Sequence, residues 1–157
     1  MNIFVLDQNP QLAAQYHCDE HVIKMILESA QMLSTVLGGP YKPTHQNHPC
    51  TVWVRESINN ARWLVYLAAY LNDEYRTRYH AANNHKSWNV ISDLWAEKAN
   101  HHDLPDVPMT AFAQAMPEEL RIPADPVRAY RQYYRTKSFA KWRQGSPLWW
   151  DYPEFDV

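Results

Sequence analysis

Apolar residues recur along most of the chain at helical spacing, in segments separated by prolines and glycines. A short β-prone run at residues 2–7 comes first and predicts an extended N-terminal arm. The periodic segments that follow predict helices at about residues 11–37, 49–79, 87–100 and 126–143. We therefore expect an all-α fold, a compact orthogonal bundle of about four helices, in a single domain of residues 1–157.

The composition supports a helical fold and narrows the setting of the protein. Only 3 glycines against 11 prolines in 157 residues argue against a hairpin-rich β fold. The net charge of −2 gives no overall attraction to nucleic acid, so any basic surface must be local. Two cysteines fit a reducing compartment, and the apolar run from Ile3 to Leu6 is too short to span a membrane. We expect a cytoplasmic protein without a membrane partner.

The first predicted helix carries one narrow polar stripe on an otherwise apolar surface. At about 100° per residue, the stripe contains His17, His21, Lys24, Glu28 and Gln31. Such a stripe either faces a cleft or is the only solvated edge of the helix, with pairs such as Lys24–Glu28. The sequence leaves both interpretations open. In the first, His21 and Glu28 are candidate catalytic residues.

Two more carboxylates lie near this stripe. Glu20 is beside it and is the first candidate for a general acid or base. Asp19 falls within the apolar arc, where a carboxylate must be paired or protonated. Asp19 is therefore either the structural partner of an arginine from the second or fourth helix or a catalytic acid or base.

A metal site is an alternative use of the histidines. Residues 17–21 fit H-x-x-E-H, a pattern in which two histidines on adjacent turns bind zinc and a glutamate activates water. The loop before the second helix adds His45 and His48. The chain shows no obvious helix with a third ligand. We therefore expect no cofactor, with zinc held by His17, His21, His45 and His48 as the alternative.

Two segments suggest contacts with DNA. The loop around His45 and His48 precedes a helix N-terminus, where free backbone N–H groups suit a phosphate. Residues 121–143 contain seven basic residues and one acid, interleaved with aromatic rings that can stack on bases. An amphipathic helix with its rings in the core would show the same pattern. The candidate DNA-binding residues are Lys24, His45, His48, Arg55, Arg128, Arg131, Tyr133, Tyr134, Arg135 and Lys137.

The order of several motifs resembles a known family. The motifs are Met1-Asn-Ile-Phe-Val-Leu-Asp, Cys18-Asp-Glu-His-Val, Tyr41-Lys-Pro-Thr-His-Gln-Asn-His-Pro-Cys50, Glu74-Tyr-Arg-Thr-Arg-Tyr79 and Tyr130…Tyr133-Tyr134…Trp142. They look like those of a set of short phage-borne proteins and, more distantly, of the pyrimidine-dimer DNA glycosylases (endonuclease V-like). The resemblance implies a small helical domain with an N-terminal arm at the active site. It also implies a catalytic glutamate on the first helix and a His-Pro element before the second long helix.

The chain departs from this family at two functional positions. The phage enzyme uses the amine of a threonine exposed by removal of the initiator methionine, whereas residue 2 here is Asn, so we expect Met1 to be retained. The family's Arg-Glu pair falls near residues 19–21, where there is no arginine.

The resemblance and the residues together favour a phage DNA-processing enzyme. We expect it to act on a base or glycosidic bond, with a carboxylate of the first helix as acid or base: Glu20, or alternatively Asp19 or Glu28. One alternative function is a metal-dependent hydrolase that uses His17 and His21. Another is a non-enzymatic phage accessory protein that binds a host protein through its aromatic surface.

Overall fold

The computed structural model describes residues 1–156, which form helices and connecting segments without a β-strand. The helices are α1 (Pro10–Tyr16), α2 (Asp19–Leu37), α3 (Pro49–Glu56), α4 (Ile58–Arg78), α5 (Lys86–Lys98), α6 (Pro126–Arg135) and α7 (Leu148–Asp151). Short 3₁₀ turns lie at Glu118–Leu120 and Pro153–Phe155. The all-α prediction is confirmed. The predicted number of about four helices is not, because the described residues form seven.

The first predicted helix is divided at His17 and Cys18, which both have extended backbone conformations. The Cys18 N–H donates to the hydroxyl of Tyr134 at 2.9 Å, and the Asp19 N–H donates to the carbonyl of Lys141 at 2.8 Å. Partners distant in sequence thus replace the hydrogen bonds of a continuous helix. The predicted end of this helix is correct, since Gly38 closes α2 with a left-handed φ of 75°.

The second predicted helix is divided at Ser57. Its hydroxyl accepts a hydrogen bond from the Asn59 N–H at 3.0 Å and donates one to the carbonyl of Val107. Ser57 thereby caps the N-terminus of α4, a position that favours serine. The hydrogen bond to Val107 also fixes part of the 101–124 segment, which contains only one short 3₁₀ turn.

The core forms around α4, which packs against α1, α2, α3 and α5. The N-terminal arm is part of this core, because the side chains from Ile3 to Leu6 are almost completely buried. The arm thus runs through the interior. It places Met1 beside Glu28 of α2 and near Tyr133 of α6. Within residues 1–156, no helix is both long and apolar enough to cross a membrane.

A buried arginine at the end of α4 joins the two pieces of the first divided helix, α1 and α2. Arg78 is the last residue of α4, and its side chain is 2% exposed. It makes ion pairs with Asp19 at 3.2 Å and Glu74 at 2.8 Å. It also donates to the backbone carbonyls of His17 at 2.7 Å and Gln15 at 2.9 Å. Asp19 therefore has the arginine partner that its place on the apolar arc predicted.

The C-terminal tail is held by a second set of arginines. Helix α6 ends at Arg135 rather than near residue 143, and the chain then turns back over the core. Arg131 and Arg135 bind the two oxygens of Asp156 at 3.0 and 2.8 Å. Arg131 also binds Asp7 at 3.3 Å, which ties the tail to the N-terminal arm.

We predict that Asp19→Ala lowers the free energy of unfolding by about 3 kcal/mol, which urea denaturation would measure. Loss of one partner of a buried ion pair costs about 3–5 kcal/mol, and we expect the lower end because Arg78 keeps Glu74. The control is Glu97→Ala, which breaks an exposed pair with Lys98 and should change stability by less than about 0.5 kcal/mol. Equal effects of the two substitutions would contradict a structural role for Asp19.

Candidate active site

A cleft of about 210 Å³ opens between the N-terminal arm, α2 and the end of α6. Its polar wall consists of the chain's first residue and one side of α2, and its other wall is largely aromatic. The residues that line the cleft include Met1, Phe4, His21, Lys24, Glu28, Tyr133, Lys137 and Phe139. The volume equals that of about seven water molecules in the liquid, so the cleft has room for one small ring.

A carboxylate and an amine meet at the bottom of the cleft. The Met1 nitrogen lies 3.2 Å from Oε1 of Glu28, whose side chain is 9% exposed. The same oxygen accepts the backbone N–H of Asn2 at 2.9 Å, and Lys24 Nζ lies 3.9 Å from Oε2. Glu28 can therefore exchange a proton directly with the amine.

Asn2 holds the start of the chain in this position. Its Nδ2 donates to the carbonyl of Ala115 at 2.9 Å, and its Oδ1 accepts from the Tyr130 hydroxyl at 3.1 Å and from Cys50 Sγ at 3.4 Å. Burial raises the pKa of Cys50 to about 11 and the pKa of Tyr130 well above 10, so both groups are protonated donors at neutral pH. The amine is thus positioned by a buried, fully paired side chain.

His21 forms the inner wall of the cleft. Its ring stacks on Phe4 with centroids 4.6 Å apart, and its Nδ1 lies 2.8 Å from the hydroxyl of Tyr134. Burial, with smaller contributions from the charges of His17, Lys137 and Lys24, lowers the pKa of His21 to about 3. Burial likewise lowers the pKa of His17 to about 4. Both imidazoles are neutral under physiological conditions.

Aromatic rings and one lysine form the opposite rim. Lys137 Nζ lies 4.2 Å from the centroid of Tyr133 and 5.2 Å from that of Phe4, in cation–π contact. Phe139, 42% exposed, packs edge-on against His21 with centroids 5.4 Å apart. The rim therefore offers flat apolar surfaces and one positive charge to a ligand.

The N-terminal part of the chain, which contributes the amine and Glu28, matches a known protein family. The family described as pyrimidine dimer DNA glycosylase matches residues 1–88, which is more than half of the chain. The chain belongs to the pyrimidine dimer DNA glycosylase family. Comparisons with curated proteins and with solved structures give no significant match. The glycosylase match covers Met1 and Glu28, whereas Tyr133, Lys137 and Phe139 lie beyond it.

Of the four candidate catalytic residues of this glycosylase-family protein, two line the cleft and two do not. Glu28 and His21 line the cleft. Glu20 is exposed and does not line it, and Asp19, the first residue of α2, is bound to Arg78 and does not line it either. The part of the polar stripe from His21 to Glu28 thus faces the cleft, as one of the two interpretations of the stripe predicted. His17 does not continue the stripe, because it precedes α2 and is completely buried.

The candidate DNA-binding residues fall into three groups, and the first lies at or near the cleft. Lys24, Tyr133 and Lys137 line it. Burial lowers the pKa of His48, and the charges of the nearby Met1 amine and His45 lower it further. His48 therefore lies near the cleft. His48 also caps α3 by accepting the Cys50 N–H at 3.1 Å.

A second group is exposed on the surface, and a third has structural contacts. Arg128 and His45 are exposed, and Arg55 is exposed while donating to the carbonyl of Gln46 at 3.2 Å. Arg131 and Arg135 are instead bound to Asp156 and pack on Trp149. Tyr134 is 0% exposed, so its ring cannot reach an unstacked base in this structure. The contacts of these three residues fit the amphipathic-helix interpretation, in which the aromatic rings belong to the core, better than they fit DNA binding.

The histidines proposed as alternative zinc ligands lie in two pairs. The ring centroids of His17 and His21 are 6.4 Å apart, as are those of His45 and His48. His17 Nδ1 is occupied by the carbonyl of Ala13 at 2.6 Å. Within residues 1–156, no three histidine, cysteine or acidic side chains come together as a ligand set. Zinc binding stays a prediction.

The sequence interpretation missed three features of the site. These are the Met1 amine as the partner of Glu28, Asn2 as its support, and Phe139 as part of the rim. The first could have been found by combining the polar stripe with the family's use of a terminal amine. The other two depend on contacts between distant segments, which leave no periodic pattern in the sequence.

We predict that acid destabilises the protein through its neutral buried histidines. Because the folded-state pKa values of His17 and His21 lie below the ordinary 6.5, the unfolded chain takes up protons first as pH falls. Stability should be complete above about pH 7 and should fall through pH 6.5 towards 4, by about 2 kcal/mol per histidine at pH 5. Urea unfolding at pH 7 and pH 5 measures this difference.

The matched test compares a buried with an exposed histidine. His17→Gln should reduce the loss of stability between pH 7 and pH 5, whereas His101→Gln, in an exposed position, should leave it unchanged. The same pH dependence in both variants would show that His17 is not responsible.

Proposed function

We propose that this protein is a DNA glycosylase in which the α-amine of Met1 is the nucleophile and Glu28 is the acid–base group. The observation that carries the proposal is the 3.2 Å contact between these two groups in a cleft of a pyrimidine dimer DNA glycosylase relative. Glu28 replaces Glu20 as the first candidate, because Glu20 is exposed and lies outside the cleft.

The reaction needs an amine that is partly deprotonated at neutral pH. Glu28 accepts its proton, and the free nitrogen attacks C1′ of the nucleotide while the bond from C1′ to the base breaks. The base leaves with the bonding electron pair, and it takes up the proton that the attached nitrogen loses after the attack. The sugar ring then opens to an imine at C1′, O4′ receives a proton from Glu28, and water hydrolyses the imine to restore the amine.

DNA would reach the cleft along the charged groups around it. Lys24 and Lys137 flank the amine, and the His45–His48 loop lies beside it. Arg55 and Arg128 are exposed and can add phosphate contacts further out. A duplex must open locally for C1′ of the reacting nucleotide to come near the amine in so small a cleft. We keep the setting that the resemblance suggests, a phage-encoded enzyme that acts on DNA in the cytoplasm of the host.

We predict a covalent intermediate on Met1. Borohydride reduces an imine to a stable amine, so incubation with a duplex that carries one thymine cyclobutane dimer should trap protein on DNA. Digestion and mass spectrometry should place the link on the residue-1 nitrogen. A link on Lys24 or Lys137 would contradict the assignment of the nucleophile. Absence of any adduct, also with an abasic duplex, would contradict the proposed function.

Glu28→Gln removes the proton acceptor while keeping the size of the side chain. We predict that it slows base release by about 10²–10⁴-fold, the usual contribution of general acid–base catalysis. Single-turnover release from the dimer duplex measures the rate. Glu20→Gln, in an exposed position of the same helix, is the matched control and should act like wild type. A slow Glu20→Gln protein beside an active Glu28→Gln protein would reverse the assignment.

We predict that DNA binding depends on salt through the lysines of the cleft. Each phosphate contact releases counterions, so log K against log [salt] should become less steep by about one unit for each of Lys24→Gln and Lys137→Gln. Fluorescence anisotropy with an undamaged duplex at several salt concentrations measures the slope. Lys98→Gln, which removes a partner of Glu97 on α5, is the control. Unchanged slopes in both cleft variants would place the DNA elsewhere.

A further inference from the structure

Phe139 is an aromatic residue of the cleft for which the proposed amine–carboxylate chemistry has no use. It is 42% exposed, whereas Phe4, the other phenylalanine that lines the cleft, is 4% exposed. Its ring packs edge-on against His21, with 5.4 Å between the centroids. A single exposed ring on an open surface needs no explanation. This one lies at the rim of the cleft that contains the Met1 amine, where a bound partner would cover it.

A short hydrogen-bonded turn carries Phe139. The Ala140 N–H donates to the carbonyl of Lys137 at 3.2 Å, which places Phe139 at the third position of a β-turn. Both ends of this turn are fixed. The Lys137 N–H donates to a carbonyl in the last turn of α6 at 3.0 Å, and the Lys141 carbonyl accepts the first N–H of α2 at 2.8 Å. The ring is thus held on an ordered backbone, and little backbone entropy is left to lose when it contacts a partner.

Two cations flank Phe139 in the sequence. Lys137, two residues before it, lines the cleft, and its Nζ lies 6.0 Å from the centroid of the Phe139 ring. Lys141, two residues after it, is exposed. A partner that fits this turn must therefore combine negative charges with an apolar slot for one ring. A DNA strand has both, because phosphates lie along its edge and its base stack can open between two base pairs.

The shape of the cleft requires such an opening. The amine lies at the bottom against Glu28, and the volume of about 210 Å³ is too small for a regularly stacked, paired segment. The duplex must therefore distort at the mouth of the cleft before C1′ can approach the amine. Among the residues that line the cleft, Lys24 and Phe139 are the two in exposed positions. Phe139 is thus the apolar group that an approaching duplex meets first.

We propose that Phe139 is a wedge that enters the base stack beside the reacting nucleotide and opens the duplex for the Met1 amine. This inference rests on the proposed glycosylase function and adds the step by which paired DNA gives access to C1′. Stacked base pairs lie about 3.4 Å apart, so one inserted ring roughly doubles that separation and kinks the duplex. Phe139 positions the substrate and takes no part in the transfer of protons or the breaking of bonds.

Two duplexes separate opening of the stack from chemistry at the sugar. Both carry one thymine cyclobutane dimer, and in the second the opposite strand is mismatched around the dimer, so that the stack is already open. Phe139→Ala should slow single-turnover base release from the paired duplex by about tenfold, within the usual range for one base stacked on an aromatic ring. The loss on the mismatched duplex should be several times smaller, because its phosphates are the same and less unstacking is needed.

Two further variants are the controls. Phe139→Leu keeps apolar bulk on the turn and should recover most of the rate on the paired duplex. Phe155→Ala removes a ring that is 62% exposed and does not line the cleft, so it should act like wild type on both duplexes. The unfolding midpoints of the three variants should lie close to that of wild type, since neither ring belongs to the buried core.

Fluorescence of 2-aminopurine, placed beside the dimer, reports the opening directly. This base emits weakly within a stack and strongly when a neighbouring base moves away, and phenylalanine does not quench it. Saturation of the paired duplex with Glu28→Gln protein, which should release base slowly, should raise the emission. The double variant Glu28→Gln/Phe139→Ala, also at saturation, should give a clearly smaller rise.

The outcomes distinguish this inference from the proposed function. Equal losses of Phe139→Ala on both duplexes, or no loss on the paired one, would overturn the wedge while the glycosylase chemistry stands. Wild-type protein that releases base only from the mismatched duplex would have the same meaning, as would emission that does not rise on binding. Wild-type protein that releases base from neither duplex overturns the proposed function and the inference together.

Discussion

The start of the chain is a charged group in a partly buried position, and the pair that it forms with Glu28 stabilises this placement. An unpaired buried ammonium would cost several kcal/mol. The pair stands at the end of the arm from Asn2 to Leu6, which fills the interior between the helices. The same interaction therefore ends the packing of the arm, orients α2 towards it and creates the cleft. The shortest ion pair of the cleft, between Met1 and Glu28, is also the pair to which we assign the reaction.

Arg78 provides the second constraint, and it acts on the geometry of α2. A continuous helix over residues 11–37 would direct His17, His21 and Glu28 along a single face. The break at His17 and Cys18 instead buries His17 behind the cleft and starts α2 in a new direction, with Arg78 bound to Asp19 and to the carbonyls before the break. Asp19, a carboxylate on an otherwise apolar arc of the sequence, thus has a structural function: it binds the arginine that joins α4 to the start of α2.

Periodicity predicted the helical class and several helix ends correctly, because apolar spacing and proline or glycine stops depend on local physics. Gly38 at the end of α2 is an example. The two breaks could not be predicted in this way. Neither contains glycine or proline, and each is stabilised by partners such as Tyr134, Lys141 and Val107 that are distant in sequence.

The candidate site shows the same division. The polar stripe identified His21, Lys24 and Glu28, since residues on one helix face stay together in any fold that keeps the helix. Charge density did not distinguish Arg128, which is exposed, from Arg131 and Arg135, which bind Asp156 at the end of the chain. The contact that decides their role is made by an acid about twenty residues further on, and composition carries no information about it.

The two walls of the cleft come from different parts of the chain, and this has a consequence for the family. The amine, its carboxylate and His21 lie within the matched residues 1–88, whereas Tyr133, Lys137 and Phe139 do not. The proposed chemistry at C1′ would need only the first wall, because the amine and Glu28 contact each other without help from the second. A ligand that entered the cleft would contact both walls, since Tyr133 and Phe139 line it together with His21. In the proposed glycosylase, changes in the C-terminal segment would therefore alter the second wall of the cleft while the amine–carboxylate pair stays intact.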